Sequence, residues 1–411
     1  MEIVKHELKK IFTTPIVLIA LVVILSFNGL AIFSNTHIRG YMSVVTDFAQ
    51  TSSSELTPST IAIWQEQADL SLLNANDLAG TDYADPSYFF DNHAIWTYPQ
   101  EVVDSFWLAQ QQFYYIKIAT NTNELFETQM DMTARNEMVV SQLGATGTLA
   151  ELIEQQYQLA SLRVDEVFEN GDYNYLFFSG NATRSLSFLI NTVVRVATIG
   201  SILLGVLITS HLLCFEFEQK TYLIAYTTKI GRKLQVKKLI ASFIATTIIY
   251  TVIMGLTLLL YFSVYNYSSL WQTPMHSIFM NEQQFLALFW YDFNFWQYLL
   301  LMWVVLLGLQ FIVVLMIFTL SKFFKNSYLL GTVFIITMAV IFIIPDFIPR
   351  SSNWLLYATF NPTTILFNLQ NTFQVDNLFP HFEKLTLGIW TIGLAISGYI
   401  TQRQFKKGDI L

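Results

Sequence analysis

Many side chains in this chain could do chemistry, but few are spaced for it. His6-Glu7 opens like a zinc-binding helix motif, which needs a second histidine one turn later; position 10 is Lys10, so the ligand pair fails. His37, His93, His211, His276 and His381 are scattered and read as surface or interfacial residues, not as metal ligands. No Gly-x-x-x-x-Gly-Lys-Ser/Thr loop is present to cradle nucleotide phosphates, and no Gly-x-Ser-x-Gly to present a nucleophile. Residues 34–184 carry 20 acids, and two carboxylates there could flank a glycosidic bond. At that density chance pairs are expected, so the signal is weak. Cys214 is the sole cysteine, which rules out an intrachain disulfide.

What is ordered is charge. Phe215-Glu216-Phe217-Glu218-Gln219-Lys220-Thr221 places two acids at the end of an apolar run, and a short amphipathic stretch, Tyr222-Leu223-Ile224-Ala225-Tyr226, follows. Thr228-Lys229-Ile230-Gly231-Arg232-Lys233 and Lys237-Lys238 then lead into the next apolar run. Physically this is a short helix lying at a membrane surface, its charged ends available to a partner. A merely solvated loop that sets topology explains the charges about as well.

The elements around this loop are membrane spans. Six stretches are long and apolar enough, at about 15–33, 192–214, 239–262, 297–320, 328–345 and 385–402. Of the 22 Lys and Arg, 14 fall in segments reached by an even number of crossings, while 25 of the 30 acids fall on the other side. This positive-inside pattern places both termini in the cytoplasm. The net charge of -8 conceals that division, and the acidic outer surface argues against nucleic-acid binding. Pro15 to Phe33 reads as a retained anchor and not a cleaved leader, since 19 residues reach about 28 Å. Before it, residues 1–14 form an amphipathic interface helix, with Ile3, Val4, Leu8, Ile11 and Phe12 on one face and Lys5, Lys9 and Lys10 elsewhere.

Residues 34–185 make an extracellular, mainly helical domain. Thr57-Pro58 caps one helix and Pro99 opens another; a third runs from near Asn123 to Gly144. Thr148-x-x-Glu151 is a capping box, Leu149, Leu152, Ile153, Tyr157, Leu159 and Leu162 mark the face of its helix, and Gly171 stops it. Residues 80–98 read as an irregular loop. The fold class is thus an all-α polytopic membrane protein with six spans, residues 186–411 holding spans two to six.

The order of features in loop 215–238 resembles that of the ABC type-2 exporter permease family. There the same loop has an acidic start, a Thr step, a Thr-Thr-Pro-Ile run followed by Arg, and a Lys before the third span. The matching residues here are Glu216, Glu218, Lys220-Thr221, Thr227-Thr228-Lys229-Ile230, Arg232 and Lys237-Lys238. Lys229 stands where the family has proline, so the turn is not pre-set. The resemblance implies that the loop forms a coupling helix docking on a separate ABC ATPase subunit. It implies further that ATP and Mg are held by that partner, with no cofactor in this chain. It also implies a pairing of two permease halves, as a homodimer or with a homologue, in a bacterial plasma membrane.

Two further positions are singled out. Arg195 lies near the start of the second span, where it either snorkels to the surface or lines a translocation pathway. Residues 345–384 read as a re-entrant pair of short helices broken at Asn361-Pro362, since proline withdraws an amide and disfavours helix before it. The expected function is the permease subunit of an ATP-driven exporter of an amphipathic, lipid-like or peptide cargo, without catalysis of its own. The alternative is a non-transporting sensor or immunity protein whose outer domain binds a peptide.

Overall fold

The computed structural model describes residues 2–92, 95–175, 180–227, 234–278, 288–349, 352, 354–375 and 379–407. Among them every regular element is a helix, and strand pairing is limited to the isolated bridges Glu55 with Tyr175, Pro274 with Asn294 and Phe289 with Gln374. Helix α1 (Glu2–Thr13) ends where Thr14 Oγ1 donates to the Lys10 carbonyl at 2.6 Å, and Pro15 starts α2 (Pro15–Ser34). A proline is harmless at that position because its missing amide would have had no partner.

Among the described residues, the segment between α2 and the next long helix forms a cap with seven α-helices. These are α3 (Arg39–Thr51), α4 (Pro58–Ala79), α5 (Ser87–Asn92), α6 (Gln100–Thr120), α7 (Thr122–Gln129), α8 (Met132–Leu143) and α9 (Thr148–Asn170). Thr57 Oγ1 accepts the Thr60 amide at the start of α4, as the sequence predicts, and Pro99 precedes α6. Gly171, at φ 71°, ends α9 in the left-handed conformation that costs glycine least.

Three expectations for the cap are corrected. The single helix from 123 to 144 is two, because Asp131 starts a new one by accepting the Thr133 and Ala134 amides. Thr148 forms no capping box: Gly147 takes the cap position, and Thr148 is already helical. Leu159 and Leu162 are exposed, while Gln156 and Arg163 occupy the buried face of α9. That face meets backbone carbonyls, so a hydrogen-bonding side chain fits it better than an aliphatic one.

Helix α10 (Thr183–Phe188) runs through a π-helical turn, Leu189–Val194, into α11 (Arg195–Glu218), giving one continuous helix of 36 residues. Then follow α12 (Tyr222–Thr227), α13 (Leu234–Val264), α14 (Phe295–Leu320), α15 (Ser327–Ile343), α16 (Trp354–Thr359), α17 (Pro362–Phe367) and α18 (Phe382–Lys407). Among the described residues five helices are long and apolar enough to cross a membrane: α2, α10 with α11, α13, α14, and α15 continued to Phe347. The expected sixth stretch, 385–402, lies within the 26-residue α18 packed on α14. It is not among the five; Thr386, Gly388, Thr391, Gly393 and Gln402 dilute its apolar run.

Helix α11 is the centre of the bundle, touching α2, α13, α14 and α15. In an apolar medium close packing, and not transfer from water, holds helices together, so small residues sit at the contacts. A Cβ on Gly200 would stand 2.7 Å from Ile24 Cγ2, and one on Gly308 3.0 Å from Leu387 Cδ1.

Candidate functional site

The end of the bundle away from the cap carries the loop that the sequence singles out. Helix α11 stops there in a Schellman turn: the Thr221 amide donates to the Glu216 carbonyl at 2.9 Å and the Lys220 amide to the Phe217 carbonyl at 3.2 Å. Lys220 takes the left-handed position, φ 56°, usually given to glycine. The turn sends the chain into α12, where Leu223 is 50% and Ile224 78% exposed. Tyr222 stacks on Phe217, whose ring also lies beneath Lys325 Nζ. Lys229 and Arg232 fall outside the described residues.

Glu216 and Glu218, adjacent in the pattern, do different things. Glu218 Oε1 accepts the Ser327 amide at 2.7 Å, tying α11 to the start of α15, and its other oxygen lies 3.9 Å from His211 Nδ1. Glu216 is buried and paired with Lys238 Nζ, which is itself fully buried and also donates to the Leu212 carbonyl. Lys237 is half-buried beside it. Glu7 from α1 is buried close to the same pair: Oε1 accepts Lys10 Nζ at 3.0 Å, and Oε2 has no partner among the described residues. Lys10 and Lys238 both approach the Phe215 ring. The N-terminal helix, the end of α11 and the start of α13 are thus joined by one buried charged cluster. Nothing in the spacing of Glu7 distinguishes it from the polar face of an amphipathic helix, although it lies between Val4, Leu8 and Ile11 on the wheel.

Beside this cluster a cavity of about 330 Å³ opens between the α1–α2 turn, α11 and α15. Its walls are mainly aliphatic, including Val17, Leu203 and Val206, with His211, Tyr328 and several Ser and Thr side chains as the polar part. That lining suits an amphipathic molecule better than a bare ion.

At the opposite end, Arg195 follows the π turn. Its Nη2 donates to Asn191 Oδ1 at 2.9 Å and to the Phe367 carbonyl, at the end of α17, at 2.7 Å. Asn191 in turn donates to Gln370 Oε1 at 2.6 Å. Arg195 therefore braces the segment 354–371 against α11. The break at Asn361-Pro362 is present: Asn361 Oδ1 accepts the Thr363 amide to cap α17, and its Nδ2 donates to the Ile341 carbonyl at 2.6 Å. Helices α16 and α17 fold back so that α17 touches α11, α15 and α18, which covers the irregular backbone with protein.

A second cluster, absent from the sequence reading, joins the cap to the bundle. Arg163 of α9 donates through Nε to the Phe289 carbonyl at 3.0 Å, through Nη1 to Glu166 at 2.7 Å, and through Nη2 to Asp292. Nη2 also lies 3.0 Å from His276 Nε2. A guanidinium only donates, so the imidazole accepts there and carries its proton on Nδ1, which has no partner among the described residues. His276 is buried, and burial pushes it below its ordinary pKa. With the His276 ring 3.6 Å away and the Arg163 guanidinium donating to it, Asp292 is held well below the usual carboxylate range. Burial raises Asp172.

Asp172, His276 and Asp292 bring ligand atoms within 4.8 Å of one another, the spacing of an incomplete metal site. Arg163 already places a fixed cation on two of the three, and an ion would have to displace it. The arrangement fits a latch between α9 and the 288–292 segment. The one sequence signal for it is an arginine at an apolar-stripe position of α9, in line with Leu149, Ile153, Ala160 and Val167. No family model, curated protein or solved structure matches the chain.

Proposed function

We propose that the chain is the permease subunit of an ATP-driven exporter, working as one of two paired halves and powered by a separate ATPase subunit. The observation that carries this reading is the mounting of α12. A short helix with Leu223 and Ile224 exposed is held by a Schellman turn on α11, and α11 is locked to α13 and α15 through Glu216, Lys238 and Glu218, with Lys10 of α1 over its Phe215 ring. A solvated loop needs no such base, whereas a helix that receives force from a partner does. Movement imposed on α12 would pass into α11, which touches four of the other long helices or their neighbours in the bundle. The aliphatic cavity at the α1–α2 turn supports an amphipathic or lipid-like cargo. In this reading the loop and the termini face the cytoplasm, α18 is the sixth span, and the cap faces outward.

Ile224→Asp is the variant that tests the docking. Ile224 is exposed, so the substitution spares the fold, whereas reversing Glu218 would also break its bond to Ser327. The expected result is loss of co-purification with the proposed P-loop ATPase subunit, together with an unchanged melting temperature. A variant that still binds that subunit and supports full cargo-stimulated hydrolysis would show that α12 is not the dock.

A further inference from the structure

Over residues 40–116 the chain has ten Asp and Glu and not one Lys or Arg. Helix α4 lies in this stretch and has two opposite faces. Thr60, Trp64, Ala68, Leu72 and Ala75 are buried on the side that packs against α6. On the other side Ile63, Glu66, Leu70, Leu73 and Asp77 follow one another at alternating steps of three and four, which is the seam of a helix expecting another helix. Ile63 is 42%, Leu70 60% and Leu73 59% exposed, and Asp69 flanks the row. Single exposed leucines need no explanation, but an ordered ridge of them with acids at fixed intervals does.

We propose that this ridge docks a cationic amphipathic peptide as a helix, its apolar side on Ile63, Leu70 and Leu73 and its lysines or arginines against Glu66, Asp69 and Asp77. Charge selects this occupant over the others. A second copy of the chain would set the same acids against one another with no base on either ridge to pair them, and an anionic lipid surface is repelled in the same way. From Ile63 to Asp77 the ridge is about 21 Å long, which matches about four turns of a partner helix. The inference does not depend on export, because it concerns binding alone.

The test uses the full-length protein in nanodiscs of zwitterionic lipid, with a labelled Leu/Lys heptad peptide of about 18 residues as the probe. Binding is counted as the excess over empty discs. The double variant Leu70→Gln/Leu73→Gln is expected to weaken that binding at least about tenfold. The triple variant Glu66→Gln/Asp69→Asn/Asp77→Asn is expected to weaken it and to flatten its salt dependence. The same peptide with Glu in place of Lys is expected not to bind. No excess over empty discs, or binding by both variants equal to that of the unaltered protein, overturns the proposal. So does a homodimer of the unaltered chain that Leu70→Gln/Leu73→Gln dissociates, since the ridge would then belong to a second copy.

Discussion

Replacing Lys238 by Met would leave the Glu216 carboxylate buried without its ammonium, beside a Glu7 oxygen that already lacks a partner. Breaking a buried pair from one side costs about 3–5 kcal/mol, because the remaining charge is stranded. The double variant Lys238→Met/Glu216→Gln removes both charges and is expected to recover most of that loss, as read by thermal unfolding in detergent. Equal melting of the single and double variants would mean that the pair carries no coupling. Lys220 makes the opposite case. It sits at φ 56°, where a side chain costs about 1 kcal/mol that glycine does not pay, so Lys220→Gly is expected to raise stability by about that amount. The sequence places both residues in the right loop, because charge order survives in one dimension. It does not say which of Lys237 and Lys238 turns inward, nor that Lys220 is there for its backbone; both depend on the way α11 ends.

At the scale of elements, the junction between α9 and the 275–292 segment should respond to pH. His276 is held neutral by burial, so the closed junction binds fewer protons than the opened one. Its stability therefore rises with pH, is fully present above about 6.5, and is lost as pH falls from there toward the lowered value. The slope cannot exceed about 1.4 kcal/mol per pH unit for one proton. Asp292 contributes above its ordinary range and keeps that contribution through this window, since its pKa is depressed. Asp172 is raised by burial and acts in the opposite sense, and the parallel variant Asp172→Asn removes its part. The opening equilibrium of α9, read from hydrogen exchange after dividing out the intrinsic base-catalysed rate at each pH, is expected to rise between pH 7 and pH 5 and to lose that dependence in His276→Gln; an unchanged slope in the variant would assign the effect elsewhere. Helix starts and stops set by local chemistry, such as Thr57-Pro58, Pro99 and Gly171, were readable along the chain. The buried face of α9 was not, because Gln156 and Arg163 are placed by the Val375 and Phe289 carbonyls, more than a hundred residues away.

At the scale of the molecule, one polar strip runs from the cap into α18. Gln156 Nε2 donates to the Val375 carbonyl at 3.1 Å, the Val375 amide donates to the Leu288 carbonyl, and the Trp290 amide donates to the Phe373 carbonyl. The Phe373 amide in turn donates to Glu383, buried in the first turn of α18. Leu288 and Val375 also belong to the same apolar cluster as Leu149, Ile153 and Val167 of α9. On the other side of the cap, Thr46 Oγ1 donates to the Asn266 carbonyl at 2.9 Å and Gln50 Nε2 to Ser268 Oγ at 2.7 Å. A cap held at both edges should behave as one body with the bundle and should not swing from α2. In a Cys214→Ala background, joining Gln50→Cys to Ser268→Cys by alkylating both thiols with a short bis-maleimide is therefore expected to leave the exchange pattern of α3 to α9 unchanged. Arg163→Ala, which strips the Phe289 carbonyl of its donor at a cost of about 1–3 kcal/mol, is expected to release α7 to α9 as a separately exchanging unit. If the cross-link instead slows exchange throughout the cap, the cap samples an undocked state in the unmodified protein. The two edges would then be a closed position of a moving domain, and Arg163 would be the contact that sets how much of the time it stays closed.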